Sequence, residues 1–317
     1  MRKDRTIINV ITIIFGLIIF VIWHQSFFNK STPTASFKDV KNYQIYLITT
    51  DNQDEFWQYI NQGAADMAAL TGVKYQWKFP YERNPQKQIE VIREAIDEGA
   101  DAILVAADDT KKISGVIEDA KAKGIDIIYV DAPANEEAIT TLATDNYEAG
   151  FAAGQKMISL LEEKEISTGS IGILTYDGKI TEMEREEGFA DAVTKDAKFK
   201  LLPSVNTKGQ PLLSQKEAEK LITQKEDLVG IFATNEGISV GLGNANKKVD
   251  NKILSIGFDK STVTTKLLEE GSLNAIIEQN PYTMGYVGMA EAIAALRGKS
   301  TGPDFFDTGF TILERNK

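Results

Sequence analysis

From Tyr43 onward, short runs of apolar and often β-branched residues alternate with longer stretches whose apolar positions recur at helical spacing. The pattern predicts strands at 44–50, 73–79, 102–106 and 126–130. Between them it predicts helices at 56–70, 86–97 and 113–123. Gly72, Gly99 and Gly124 stand just past those helices, where a left-handed cap needs no Cβ. Strands alternating with helices in this way mark βαβ units, which wind a parallel sheet covered by helices on both faces.

The pattern pauses and restarts. A short strand at 139–143 leads through Thr144-Asp145-Asn146 into a helix at 147–163. A second series follows: strand 170–175, helix 182–195, strand 198–205, helix 212–225 and strand 228–233. It closes with 252–257, 262–270, 272–278, a helix at 282–296 and a last stretch to Ile312. Two such series predict two α/β lobes rather than one oversized sheet. Ligands of open parallel sheets sit beyond the carboxyl ends of the strands, so two lobes facing each other there would form a cleft.

The N-terminus has another character. Arg2, Lys3 and Arg5 precede a predominantly apolar run at 7–23, interrupted by Asn9 and Thr12. About 17 to 18 apolar residues at 1.5 Å rise nearly span a hydrocarbon core roughly 30 Å thick. The basic flank puts the N-terminus in the cytoplasm and everything after Ser26 on the far face of a cell membrane. A cleavable signal peptide is the competing reading. However, the run ends in Trp23-His24-Gln25 without an A-x-A-like site, and Pro33-Thr34-Ala35 places proline where a small residue is needed. Residues 1–25 are therefore read as a cytoplasmic stub and transmembrane anchor. Residues 26–41, rich in Ser, Thr and Lys, are read as a tether.

Composition narrows the function. The net charge of −11 opposes nucleic acid as a partner, because phosphate contacts need clustered Lys and Arg. The chain has no cysteine, which suits export and removes thiolate metal sites, cysteine nucleophiles and a lipid anchor on a processed cysteine. His24 is the only histidine, so neither a zinc site nor a Ser-His triad is available. No cofactor is expected. Gly241-Leu-Gly243 lacks the third glycine of a dinucleotide fingerprint and is read as not opening a helix after a strand. Arg297-Gly-Lys-Ser300 lacks the upstream glycine of a P-loop. Asp108-Asp109 reads as a loop or cap pair rather than as acid/base machinery, and the chain is expected not to be an enzyme.

Polar residues recur just after the strands: Asp51 to Glu55 followed by Phe56-Trp57, then Asp108-Asp109, Asp131, Arg185, Asn235-Glu236, Asp259 and Gln279. Planar hydrogen-bonding groups beside aromatic rings suit a sugar, whose vicinal hydroxyls take paired bonds and whose C–H face stacks on a ring. Phe56 and Trp57 are adjacent, so a helix start would point them about 100° apart, one inward and one over the cleft. Helix capping accounts for any single Asp or Asn here equally well.

Eight segments, in order, resemble the periplasmic sugar-binding proteins of the ribose, galactose and xylose type, the type I periplasmic-binding fold. They are residues 55–63, Gln88 with 99–105, 124–131, 143–146, 185–189, 231–235, 256–259 and 279–286. The resemblance implies two doubly wound α/β lobes with a ligand cleft between them, preceded here by the N-terminal transmembrane helix. It implies crossings near Asp145, Gln279 and Phe306. The lobes would then be 42–145 plus 280–306, and 146–279 plus 307–317. Phe56 and Trp57 match the family's aromatic pair. Asp131, Arg185, Asn235, Asp259 and Gln279 match its hydrogen-bonding set, and Asp54 stands where asparagine is common. Ala132 replaces the arginine of ribose binders, which argues against ribose itself, and Asn235-Glu236 replaces the commoner Asn-Asp. The implied ligand is a pentose or hexose monosaccharide. The implied partner is an ABC permease or, alternatively, the outer domain of a membrane histidine kinase. A non-sugar ligand is the third reading.

Overall fold

The computed structural model describes residues 40–195 and 198–315. The predicted membrane helix and most of the tether lie outside the described residues. Among those described, no helix is long and apolar enough to cross a membrane. Val40, at the end of the stretch read as tether, is fully buried in a core cluster with Ile45, Leu47 and Trp57.

The chain builds two sheets. The first contains β1 (Gln44–Ile48), β2 (Lys74–Lys78), β3 (Ala102–Val105), β4 (Asp126–Val130), β5 (Thr140–Ala143) and β12 (Phe305–Asp307). Its order is β12-β5-β4-β3-β1-β2 and every pairing is parallel. The second contains β6 (Gly169–Thr175), β7 (Phe199–Leu201), β9 (Leu228–Ala233), β10 (Leu254–Phe258), β11 (Ala275–Gln279) and β13 (Phe310–Glu314). Its order is β13-β11-β10-β9-β6-β7, with β8 (Val205–Asn206) also on β6. Only β13 runs antiparallel to its neighbour. β1 shows why such strands read as continuous apolar runs. Ile45 and Leu47 enter one core cluster, while Tyr46 and Ile48 enter another on the opposite face.

Helices α1 (Glu55–Thr71), α2 (Pro85–Asp97), α3 (Ser114–Ala122) and α9 (Pro281–Leu296) cover the first sheet. Helices α4 (Asn146–Glu163), α5 (Ile180–Thr194), α6 (Pro211–Gln224), α7 (Glu236–Lys248) and α8 (Thr262–Glu269) belong with the second. The chain passes between the sheets after β5, after β11 and after β12. The three passages are tied together. Thr308 donates its N–H to the Ala143 carbonyl at 2.8 Å, and Asn280 Nδ2 donates to the Thr308 carbonyl at 2.7 Å. Asp145 N–H donates to Asp307 Oδ1 at 3.1 Å.

Two elements differ from the pattern-based expectation. The strand predicted at 198–205 is split into β7 and β8 around Leu202-Pro203-Ser204, because Pro203 has no N–H to give a ladder. α7 was not predicted, and Gly241 and Gly243 lie inside it, directly after a strand. Its apolar period is diluted by Gly and Asn, and the glycines serve packing. A Cβ on Gly241 would stand 2.5 Å from Ser214 Cβ of α6.

Candidate ligand-binding site

Each predicted residue except Arg185, which lies inside α5, sits at a carboxyl end of a strand or at the start of the helix that follows. Asp131 and Asp259 are the first residues after β4 and β10, and both take left-handed backbone angles, which Asp tolerates better than most side chains. Neither caps a helix. Asp54 is the N-cap of α1, yet its carboxylate makes no capping bond and instead meets the guanidinium of Arg83. Asn235 does cap: its Oδ1 accepts from Ile238 N–H at 3.0 Å, and its Nδ2 donates to Glu182 Oε1 at 3.0 Å. Gln279, the last residue of β11, donates from Nε2 to Asp259 Oδ1 at 2.7 Å.

Phe56 and Trp57 do not divide between core and cleft as expected. Both are buried, both join the core of the first lobe, and both also line the cavity. Their rings meet edge to face with centroids 4.9 Å apart, which holds the pair as one rigid wall.

Arg185 is held from three other elements. It lies on α5 and donates Nε to Asn146 Oδ1 at the start of α4 (2.8 Å) and Nη1 to the Thr234 carbonyl after β9 (2.9 Å). Its guanidinium lies 3.9 Å over the ring of Phe258 at the end of β10. The approach of α4 and α5 that sets this geometry depends on glycine. A Cβ on Gly150 would collide with the Arg185 carbonyl, and one on Gly188 would collide with that of Tyr147.

All eight predicted residues line one cavity of about 40 Å³ between the two sheets. Arg83, Thr181 and Glu182 share the lining and were missed from sequence. Arg83 precedes Asn84, the N-cap of α2, in a loop at the same strand edge as the others. That position was the one available signal. It also pairs with Asp51, so the two guanidiniums of the cavity come from opposite lobes. Among the described residues, Trp57 Nε1 and Gln279 Oε1 are buried without a protein partner, and no hydrogen bond reaches the carboxylate of Asp131.

The carboxylates feel their burial. Burial pushes Asp131 up to about 7, with Arg185 opposing and Glu182 and Asp259 adding to the rise. Burial, with Asp54 and Asp259 beside it, raises Glu236 to about 8. Asp54 rises to about 6, restrained by Arg83. Asp259 is raised by burial and restrained by Arg185 and Gln279.

Contacts cross directly between the lobes. Lys179, before α5, pairs with the carboxylate and carbonyl of Asp108, after β3. Glu55 accepts from Thr262 N–H at 3.1 Å, and Phe56 N–H donates to Glu236 Oε2 at 3.4 Å. The expected cap at Asp108-Asp109 is therefore half right. Asp109 accepts from the Lys111 and Lys112 amides, whereas Asp108 is buried in the cross-lobe pair.

A periplasmic binding protein domain model matches residues 45–300. The chain belongs to that family. Among curated members it is 27% identical to the ribose import binding protein of Haemophilus influenzae over 256 residues, covering 80% of this chain and 86% of that one. A carbohydrate transporter solute-binding protein from Agrobacterium radiobacter, in complex with D-arabinose, superposes with a TM-score of 0.81 at 28% identity. That match covers 86% of this chain and 94% of the other. An ABC transporter solute-binding protein from Agrobacterium vitis with bound D-fucose gives 0.78 at 26%, covering 86% and 95%. These periplasmic binding proteins are binding components of importers, in keeping with a binding protein rather than an enzyme.

Proposed function

We propose that this chain is an extracytoplasmic binding protein for a pentose or hexose monosaccharide, which closes its two lobes on the sugar and presents it to an ABC permease. One observation carries the reading. A single cavity is walled by both lobes, with an aromatic pair from one and Arg185, Asn235, Asp259 and Gln279 from the other. The three passages between the sheets are short and serve as a hinge. Closure follows from ligation only if the sugar contacts both lobes, so that the closed form binds it better than the open one. The roles of the relatives as import components favour the permease over a sensor kinase. The apolar run at 7–23 supports a cell-membrane anchor that holds the binding domain on the outer face beside its partner.

A thermal-shift screen of the chain against ribose, xylose, arabinose, fucose, glucose and galactose tests the ligand class, since binding to the folded form alone raises its melting temperature. A dose-dependent rise with one sugar is expected. Flat curves on a cooperatively melting sample would move the assignment to a non-sugar ligand. Co-purification with a permease or with a kinase decides the partner.

A further inference from the structure

Each lobe gives the cavity one guanidinium, and the two are built alike. Arg185 ties Nε to Asn146 and Nη1 to the Thr234 carbonyl, which leaves Nη2 without a hydrogen-bond partner among the described residues. Arg83 ties Nε to Asp51 and Nη2 to Asp54, which leaves Nη1 without one among the same residues. A guanidinium holds its donors in a rigid planar fork, so fixing two nitrogens aims the third. The Arg83 clamp is fixed at both ends. Its backbone precedes Asn84, whose side chain caps α2 by accepting from the Gln86 and Lys87 amides. Asp51 accepts in turn from Gln53 N–H at 2.7 Å and from Thr50 Oγ1 at 3.2 Å.

The untied nitrogen faces the cleft. A point one bond out from the Cα of Gly209, in the second lobe, lies 3.6 Å from Arg83 Nη1 and 3.6 Å from Asn235 Nδ2. Nη1 therefore stands beside a member of the hydrogen-bonding set that lines the cavity. Arg83 is also near enough to Asp131 for its charge to oppose the rise of that carboxylate.

The first lobe has little else to donate. Its part of the lining is Asp54, Phe56, Trp57, Arg83 and Asp131, so its side-chain donors are Trp57 Nε1 and the Arg83 fork. Ala132, directly after Asp131, shares a neighbouring pocket with Arg83 and brings no donor to it. A sugar hydroxyl that gives its hydrogen to Asp131 can still accept one, and a buried oxygen left without a donor is costly.

We infer that Arg83 binds the sugar directly, its Nη1 donating to one oxygen of the monosaccharide and supplying the first lobe with the charged donor that the alanine at 132 does not. The inference rests on the monosaccharide reading and adds to it a residue that selects among sugars, because a sugar with no oxygen at that place leaves the fork unmet.

Calorimetric titration at pH 7 tests it on the full-length chain and on Arg83→Ala, using ribose, xylose, arabinose, fucose, glucose and galactose beside the monodeoxy forms of each. In the unaltered chain, removal of one particular hydroxyl should weaken binding at least about tenfold, the worth of a hydrogen bond to a charged group. In Arg83→Ala the penalty at that position should fall to near one, while penalties at the other positions persist. Arg83→Lys keeps a cation on Asp51 and Asp54, and it replaces Arg83→Ala if that variant folds poorly or binds too weakly to measure. Penalties that are the same at every position with and without Arg83 would make it a structural clamp, overturning the inference and leaving the sugar reading intact. If the unaltered chain melts cooperatively and binds none of the sugars, the monosaccharide reading fails and this inference with it.

Discussion

Asp131 and Asp259 are counterparts across the cavity. Each follows a central strand of its own sheet, with φ of 65° and 66°. Each sends its N–H to the carbonyl of the adjacent strand, Leu142 at 2.9 Å and Ile277 at 2.8 Å. Their carboxylates are treated differently. That of Asp259 accepts from Gln279 Nε2 and from Glu236 N–H, whereas that of Asp131 accepts nothing from the described residues. Asparagine keeps the backbone angle at either site and so isolates the charge. Asp131→Asn is expected to cost ligand affinity about tenfold without lowering stability, because no internal bond is lost. Asp259→Asn sets an amide NH₂ against a donor and should lose roughly 1–2 kcal/mol of stability as well. Denaturant unfolding and calorimetry on both variants check the contrast, and equal stability losses would contradict it.

Arg185 stabilises as well as binds. Its removal leaves the Thr234 carbonyl and Asn146 Oδ1 without their donor and takes the restraining cation from Asp131 and Asp259. Arg185→Ala should cost about 3–5 kcal/mol in urea unfolding, in the range of a broken buried ion pair. A loss within experimental error would show that the guanidinium is idle without ligand.

Gly150 sets the position of that arginine. A methyl group there meets backbone rather than a yielding side chain, so α4 and α5 must move apart. Gly150→Ala should destabilise by roughly 1–3 kcal/mol and weaken ligand binding through displacement of Arg185. Unchanged affinity in a destabilised variant would separate the packing from the site.

Acid should stabilise the empty protein over a window that most proteins cross without gain. Asp54, Asp131 and Glu236 have folded-state values of about 6, 7 and 8, all above the ordinary carboxylate range. The folded state therefore holds protons that the unfolded chain has released. That contribution is complete below the unfolded values and is lost as pH rises through the folded ones. The ligand-free melting temperature should rise as pH falls from 8 to 5, and Glu236→Gln should flatten the upper part of the rise. A melting temperature that is constant or falls on acidification would contradict the assignment.

Lys179 and Asp108 bridge the lobes beside the cavity, in a pocket they share with Trp57, Arg83 and Asp131. Lys179→Ala should speed ligand release about threefold to tenfold, the worth of a partly buried ion pair, with little change in unfolding free energy. Stopped-flow displacement measures the release rate directly, and an unaltered rate would remove the latch.

The fold was legible wherever strands were buried on both faces and helices ended in glycine. Gly72, Gly99 and Gly124 have φ of 79°, 81° and 81° as their positions predicted. α7 was not legible, because Gly241 and Gly243 trade apolar periodicity for close packing. The eight candidate residues could be picked out because most follow a strand or open the next helix, and all but Asp54 fall within a family segment. Arg83 shares that edge but carries no motif, and only the folded chain brings it against Asp51 and Asp54. The crowding of carboxylates was invisible for the same reason. Asp54, Asp131, Glu182, Glu236 and Asp259 are scattered over more than half the chain, and their mutual repulsion exists only once both lobes meet.

A crystal structure of the chain with the sugar that gives the largest thermal shift tests the central claim most directly. The account predicts that sugar between the two sheets, against Phe56 and Trp57, with Asp131, Arg185, Asp259 and Gln279 bonded to its polar groups. A sugar bound elsewhere, or a cavity closed and empty at saturating ligand, would contradict it.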